Sequence, residues 1–519
     1  MRDSLRNIYL YFQRSFIEEF HFYLLYTVLY CLPYIIGNIC SEECSLKFVV
    51  WEFLHDFVIC NVSFLLICIL PNRGRVIACR VLATLVLVNF FVESSCLIGI
   101  HSIFTDDMVS IIMATNIGES KEFISTYFSF KVAIAWSIAA LFYIIVLKKK
   151  VFPNKIARYV ANIILTILCL CVLYFEYKGT ESYNPKLYRK VSFFKNFEAP
   201  PDLRHYQERY KFRCALDDTP EYVIMIIGES FSKYHSSLYA YEKETNPKLT
   251  ELKKDSLLFV YKNVEAPALN TIEALKRLMS TFSDELIDTL AWYECPAIPT
   301  VMSSCGYNTV WISNQSPTGI YDNVATRYSE LCDTAIFVGS TVKGIHKNDL
   351  DEELLINLRN YTFEDGNKYF VVLHLMGSHC RFSDRYPADM EVFKKEDYLD
   401  YSPTQRKVRA AYDNSVIYND SIVFEIFKYF NAKESLGLYF SDHGLDVYKS
   451  SPDYYGHAVL SDTTSMIVGK QIPFMMYTSE QMKEKYPNTI YQLDSVFASG
   501  FNTGEIMETI MSVFEIQTQ

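Results

Sequence analysis

A chain of 519 residues is too long for one ordinary domain, and its hydrophobic share of 50% with 15% aromatics hides two unlike halves. Apolar runs dominate before residue 177, whereas the remainder alternates strands with polar connections. A net charge of −11 argues against a nucleic-acid binder, whose footprint would be a basic face.

Five segments are long and apolar enough to cross a bilayer, near Phe20 to Cys40, Phe48 to Leu70, Val81 to Phe104, Val132 to Leu147 and Tyr159 to Phe175. Glu52, His55 and Asp56 interrupt the second. The first apolar run starts too late and runs too long for a cleavable signal peptide. Arg2, Arg6 and Arg14 precede the first span, Arg73, Arg75 and Arg80 separate the second from the third, and Lys148, Lys149, Lys150, Lys155 and Arg158 join the fourth to the fifth. The other two loops are acidic. The positive-inside rule therefore predicts a cytoplasmic amino terminus, a five-span helical membrane domain over residues 1–177, and everything after Tyr177 outside.

Residues 178–219 form a linker in which Lys186, Tyr188, Arg189, Lys190, Phe193, Phe194, Lys195 and Phe197 interleave cations with aromatics. That composition predicts an interfacial helix with its apolar face down, ended by Pro200 and Pro201; an ordinary solvated linker is the alternative. From residue 220 to 519 the pattern is α/β. Strands are expected at Tyr222–Gly228, Ser256–Tyr261, Asn308–Ser313, Tyr369–His374, Leu438–Ser441 and Ile472–Tyr477, with helices over Thr271–Ser280 and Arg406–Phe430. One doubly wound domain accounts for them.

The stretch YVIMIIGES reads as a strand buried on both faces, with Glu229 just beyond its carboxyl end, where open α/β sheets place their ligands. A second strand, LYFS, runs straight into Asp442 and His443. Glu, Asp and His at two strand ends make a metal set, although each alone also fits a cap or a turn. Thr271 starts a helix after a loop, where anions are stabilised, but a helix-start threonine is ordinarily an N-cap. His374 and His379 follow a strand in HLMGSHCRFSDRYP, and His457 stands alone in YYGHAV. Of 14 cysteines, nine precede residue 177. Cys214, Cys295, Cys305, Cys332 and Cys380 remain, without CxxC spacing, so one or two disulfides are open to this half in an oxidising compartment.

GESFSKYHSSLYAYEKETNP, the Thr271 stretch, WISNQ, HLMGSHCRFSDRYP, AAYDNSVIYNDSIV, SDHG and His457 followed by IPF occur in the order seen in membrane-bound phosphoethanolamine transferases of Gram-negative bacteria, and the chain resembles that family throughout. The resemblance implies an α-helical membrane domain with a sulfatase-like α/β domain in the periplasm, anchored in the inner membrane, acting as a monomer. It implies a tightly bound zinc ion on Glu229, Thr271, Asp442 and His443, with Thr271 as nucleophile. It makes His374 and His379 catalytic and gives them, with His457, contacts to phosphate or to a second metal. Asn314, Gln315, Thr115 and Glu119 are implied in substrate binding, with phosphatidylethanolamine as donor and lipid A or an envelope glycan as acceptor. The chemistry is consistent, because zinc lowers the pKa of a bound hydroxyl.

The chain departs from the family in several places. Positions near Thr271 and WISNQ that are often cysteine are not, a lysine after the Asn-Gln pair is missing, Lys233 stands for a common arginine, and Ile111 for a common asparagine. The family's disulfide pattern is therefore not carried over. Separately from the resemblance, Glu52, Asp56 and Glu93 are costly charges toward the outer membrane face, and one or more of them is expected to attract the ethanolammonium headgroup, with snorkelling to the interface as the alternative. Related alternatives are a glycerol phosphate polymerase of lipoteichoic acid type or a non-catalytic sensor. A true sulfatase would need a CxPxR or SxPxR signature, which is absent.

Overall fold

The computed structural model describes residues 2–39, 46–99, 104, 108, 112, 120, 128–148, 201–216, 218–315, 317, 324–338, 340–342, 345–347, 350–452, 454–457 and 462–519. They fall into two compact units, one helical and amino-terminal, the other holding the chain from Glu198 to Gln519.

The helical unit contains α1 (Arg2–Glu18), α2 (Phe20–Ile39), α3 (Leu46–Cys68), α4 (Asn72–Gly99) and α5 (Phe130–Lys148). Phe16, Tyr23 and Phe64 pack tilted and edge-to-face in its core, with ring centroids 5.0 to 5.5 Å apart. Among the described residues α4 and α5 are each long and apolar enough to cross a membrane; a third span results if the pair Tyr9–Glu18 and Phe20–Ile36, bent by 69°, counts as one. The segment expected over Tyr159–Phe175 lies outside the described residues, as does 178–200 of the linker. One charge read as topological has a second use. Arg75 lies inside α4 rather than in a loop, buried against Glu18 at 2.6 Å and the Ser15 hydroxyl at 2.8 Å. A buried guanidinium needs such partners, so α1 and α4 are tied together by charge as well as by apolar contact.

The second unit is built on a seven-stranded sheet of β1 (Tyr222–Gly228), β2 (Leu258–Tyr261), β3 (Tyr307–Ser313), β4 (Thr334–Phe337), β5 (Lys368–His374), β6 (Ser435–Ser441) and β7 (Phe474–Thr478). Their order across the sheet is β2-β7-β6-β1-β5-β3-β4. The strands β6, β1, β5, β3 and β4 are mutually parallel, and β7 runs antiparallel between β6 and β2. Alternation along β1 divides its side chains between two cores. Val223, Met225 and Ile227 enter one, and Tyr222, Ile224 and Ile226 the other. That is why the strand reads as continuously apolar: both faces are covered.

Three helices help fill the two cores: α6 (Pro247–Lys254), α7 (Thr271–Leu278) and α8 (Pro403–Phe430). A Ser402–Gln405 capping box starts α8, whose Tyr412, Val416, Val423 and Phe427 fill one core. Ala274, Leu275 and Leu278 of α7 fill the other.

The chain enters this unit before residue 220. Phe212–Cys214 pairs antiparallel with Ile516–Thr518, and the Gln207 amide bonds Cys295 O at 2.8 Å and Ala297 N at 2.9 Å. The interfacial helix expected before Pro200 lies outside the described residues, and beyond the two prolines the one-turn helix Arg204–Gln207 is described.

Candidate metal and nucleophile site

Parallel order and register bring separate pieces of sequence to one sheet edge. Ser441 pairs with Gly228, Ile227 with His374, and Ser313 with His374. The residues that follow these strand ends therefore converge: Glu229 after β1, Asp442 and His443 after β6, and Gln315 after β3. Ser230 turns the chain with φ of 56°, donates its N–H to Asp442 Oδ1 at 3.1 Å and its hydroxyl to Glu229 Oε1 at 2.6 Å. A non-glycine residue at positive φ stores strain, and here it sits where a carboxylate has to be aimed. From the β5 side Gly377, at φ of 51°, comes so close that a Cβ there would lie 2.8 Å from Glu229 N. Only glycine fits.

Thr271 is not the cap of α7. Asn270 holds that position in extended geometry, and its Oδ1 accepts the Glu273 N–H at 3.0 Å. With the cap supplied by its neighbour, the Thr271 hydroxyl is released from its usual duty. It donates to Glu229 Oε2 at 3.1 Å and lies 3.4 Å from His443 Nε2. Gln315 Nε2 donates to the same carboxylate oxygen at 3.0 Å.

Glu229, Asp442 and His443 each offer a ligand atom within 4.8 Å of the others, and all three are buried. His443 Nδ1 lies 2.9 Å from Gly444 O, which can only accept, so Nδ1 carries a proton and Nε2 is the ring nitrogen turned toward the cluster. Nε2 is 3.4 Å from Glu229 Oε1 and 3.5 Å from Asp442 Oδ2. That Asp442 oxygen is buried with no hydrogen-bond partner among the described residues. Burial and the Glu229 charge push Asp442 up to about 7. Burial alone would depress His443, but Asp442 and Glu229 outweigh it and lift it to about 9. Two buried carboxylates and an imidazole forced together are stabilised by a cation, and this donor set suits zinc.

Three more histidines surround the cluster, each differently. His379, its Nδ1 at 3.6 Å from Cys380 Sγ, is pulled down to about 4 by burial while feeling Glu229. The His457 ring lies 4.9 Å from that of His443, and burial pulls it down to about 3. His374 is fully buried: Nδ1 is 3.4 Å from Ser313 Oγ, the ring meets Trp311 edge-on, and Nε2 has no hydrogen-bond partner among the described residues. It packs beneath the site. Asn314 commits its amide to Asp351 at 2.8 Å, in contrast to its neighbour Gln315.

Asp351 was not readable as a site residue. Buried, it accepts Met376 N at 2.8 Å and Gly377 N at 2.9 Å as well as Asn314, and so fixes the loop that presses on Glu229. Behind Ser230, the Tyr412 hydroxyl accepts Ser232 N at 2.7 Å and donates to Ser230 O at 2.8 Å. In the helical unit Glu93 is buried, with its two oxygens accepting from Tyr34 Oη and Phe104 N, each at 3.0 Å. That engagement gives it a structural use. Asp56 is buried as well. The side chain of Glu52, and Thr115 and Glu119, lie outside the described residues.

The sequence model of the family described as Sulfatase matches residues 221–516, more than half of the chain. The chain belongs to the sulfatase family. Its sulfatase domain is therefore enzymatic in type, and its relatives narrow the chemistry. Phosphoethanolamine transferase CptA of Salmonella typhimurium is 26% identical over 461 residues, 81% of this chain and 77% of that one. Phosphoethanolamine transferase EptC of Escherichia coli is 26% identical over 75% of this chain and 72% of its own. The crystal structure of the periplasmic domain of Escherichia coli EptC in complex with Zn superposes with a TM-score of 0.52 at 26% identity, covering 62% of this chain and 87% of that one. The integral membrane phosphoethanolamine transferase EptA of Neisseria meningitidis shares the fold over 96% of this chain and 95% of its own, with a TM-score of 0.66 at 16% identity. The motif resemblance to phosphoethanolamine transferases is thus borne out for this sulfatase-family chain.

Proposed function

We propose that the chain transfers phosphoethanolamine from phosphatidylethanolamine to an envelope acceptor, lipid A or a lipopolysaccharide core glycan, by way of Thr271. One observation carries this reading: Asn270 takes over the helix cap, so the Thr271 hydroxyl is delivered to Glu229 and His443. Relatives named as phosphoethanolamine transferases support the transferred group, and a Kdo(2)-lipid A phosphoethanolamine transferase of Escherichia coli, 27% identical over 44% of this chain, supports the acceptor class.

Glu229, Asp442 and His443, with Thr271, would hold a zinc ion, which when bound supplies Lewis-acid lowering of the hydroxyl pKa. Thr271 Oγ1 attacks the phosphorus of the donor, and the diacylglycerol oxygen leaves. His379 and His457, held neutral by burial, offer N–H groups to the phosphoryl oxygens without needing a charge. One of these neutral imidazoles takes the proton that Thr271 sheds on attack and hands it to the departing diacylglycerol oxygen; in the second step it takes the acceptor hydroxyl's proton and returns it to Thr271 Oγ1 as that oxygen is displaced. His374, buried against Ser313 and Trp311, supports the strand end behind the site, and Gln315 holds Glu229 in register. Five spans, a cytoplasmic amino terminus and a periplasmic catalytic unit in the inner membrane complete the proposal, with the enzyme acting as a monomer.

Comparative mass spectrometry of envelope lipids and glycans tests it. Cells carrying the intact gene should show a phosphoethanolamine-bearing species that Thr271→Ala removes. A modified species that persists with alanine at 271 contradicts the assignment.

A further inference from the structure

Two cysteines far apart in sequence meet where the chain enters the soluble unit. Cys214 ends the strand paired with Ile516–Thr518, and Cys305 follows the helix Ile298–Ser304. Both are free thiols, and after burial the neighbouring Cys214 thiol is what most raises that of Cys305. An independent contact fixes the two segments side by side: the Tyr307 hydroxyl bonds Thr219 Oγ1 at 2.9 Å and Pro220 O at 2.8 Å, so residues just after Cys214 are pinned against residues just after Cys305. Both thiols are partly exposed and border the same core. The other cysteines of this unit point elsewhere: Cys295 to Ala291 O, Cys332 to Tyr328 O and Cys380 to His379.

We propose that Cys214 and Cys305 form a disulfide in the mature protein, a staple that no motif of the sequence announces. The inference rests on the proposed exocytoplasmic location of this unit, since such bonds persist in oxidising compartments. The two thiols lose two protons and two electrons as the Sγ–Sγ bond forms, and a protein disulfide of that compartment accepts them and becomes two thiols. Cys214 gives up a weak S–H bond to Phe514 O at 3.1 Å. The closed loop spans roughly ninety residues and contains both Glu229 and Thr271, so the bond restricts the unfolded chain across the stretch that builds the metal site.

The experiment uses the full-length protein in detergent. Under denaturing, non-reducing conditions it is alkylated, digested and examined by mass spectrometry, in parallel with a carboxyl-terminal reporter that is active only outside the cytoplasm. The expected result is a Cys214–Cys305 cross-linked peptide, with thiol reductant lowering the thermal midpoint by several degrees in the native protein and leaving Cys305→Ser unmoved. Alkylation of both cysteines without prior reduction overturns the inference. The reporter then separates the causes: an outside signal leaves the topology standing and removes the disulfide alone, whereas a cytoplasmic signal removes both.

Discussion

Replacing Asn270 by alanine tests whether the released threonine is the device that makes the site. The change deletes the acceptor of the Glu273 N–H, a bond of 3.0 Å, and loss of an asparagine cap costs about 1 kcal/mol. The helix survives because Ala274, Leu275 and Leu278 remain buried, so the thermal midpoint should fall by only about 2 °C. The orphaned N–H then recruits the nearest hydroxyl, that of Thr271, away from its 3.1 Å contact with Glu229. A diversion worth about 1 kcal/mol leaves roughly one site in five competent, a loss of about fivefold in kcat by the tenfold-per-1.4 rule, with donor KM nearly unchanged. Turnover of a fluorescent phosphatidylethanolamine in detergent provides the assay. Asn270→Ser restores a cap and should restore kcat. If Asn270→Ala loses stability while kcat holds, or if the serine variant is as slow as the alanine, the reasoning is refuted.

Gly377→Ala should displace Glu229 directly, because the new Cβ meets Glu229 N at 2.8 Å and O at 2.9 Å at a φ that already costs alanine about 1 kcal/mol. Zinc content measured by plasma emission should fall at least tenfold while far-ultraviolet circular dichroism is retained; undiminished zinc would contradict the geometry. In metal-stripped protein, burial holds His374 down to about 4, against about 6.5 unfolded. Between those values the unfolded chain binds the extra proton, so stability is full above pH 6.5 and is lost as pH falls toward 4. At pH 5 the loss from this residue is about 2 kcal/mol, visible as a shift in the urea midpoint that His374→Asn should reduce. An unchanged pH dependence in that variant would contradict the assignment.

The sequence carried much of this because the strands that matter are buried on both faces, and each ends in a residue whose chemistry is out of place in a core. Glu229, Asp442 and His443 stand out for that reason. Competition between equivalents hid more. Asn270 and Thr271 are both good caps, and only the backbone geometry tells which one serves and which is set free. Thr334–Phe337 is too short to announce itself beside Asp333. Asp351 sits in an acidic run, and its role depends on a loop that approaches from another strand. Arg75 read as a loop charge because its carboxylate partner lies nearly sixty residues earlier. Cys214 and Cys305 share no spacing rule, and the fold alone brings them together.

The central claim is that Thr271 carries the phosphoryl group between donor and acceptor. Incubating the purified full-length enzyme with phosphatidylethanolamine and no acceptor, quenching in acid and sequencing the peptides by mass spectrometry measures this directly. The account predicts a phosphoethanolamine adduct on Thr271 that disappears when acceptor is added. An adduct on another side chain, or sustained transfer with Thr271 never modified, contradicts it.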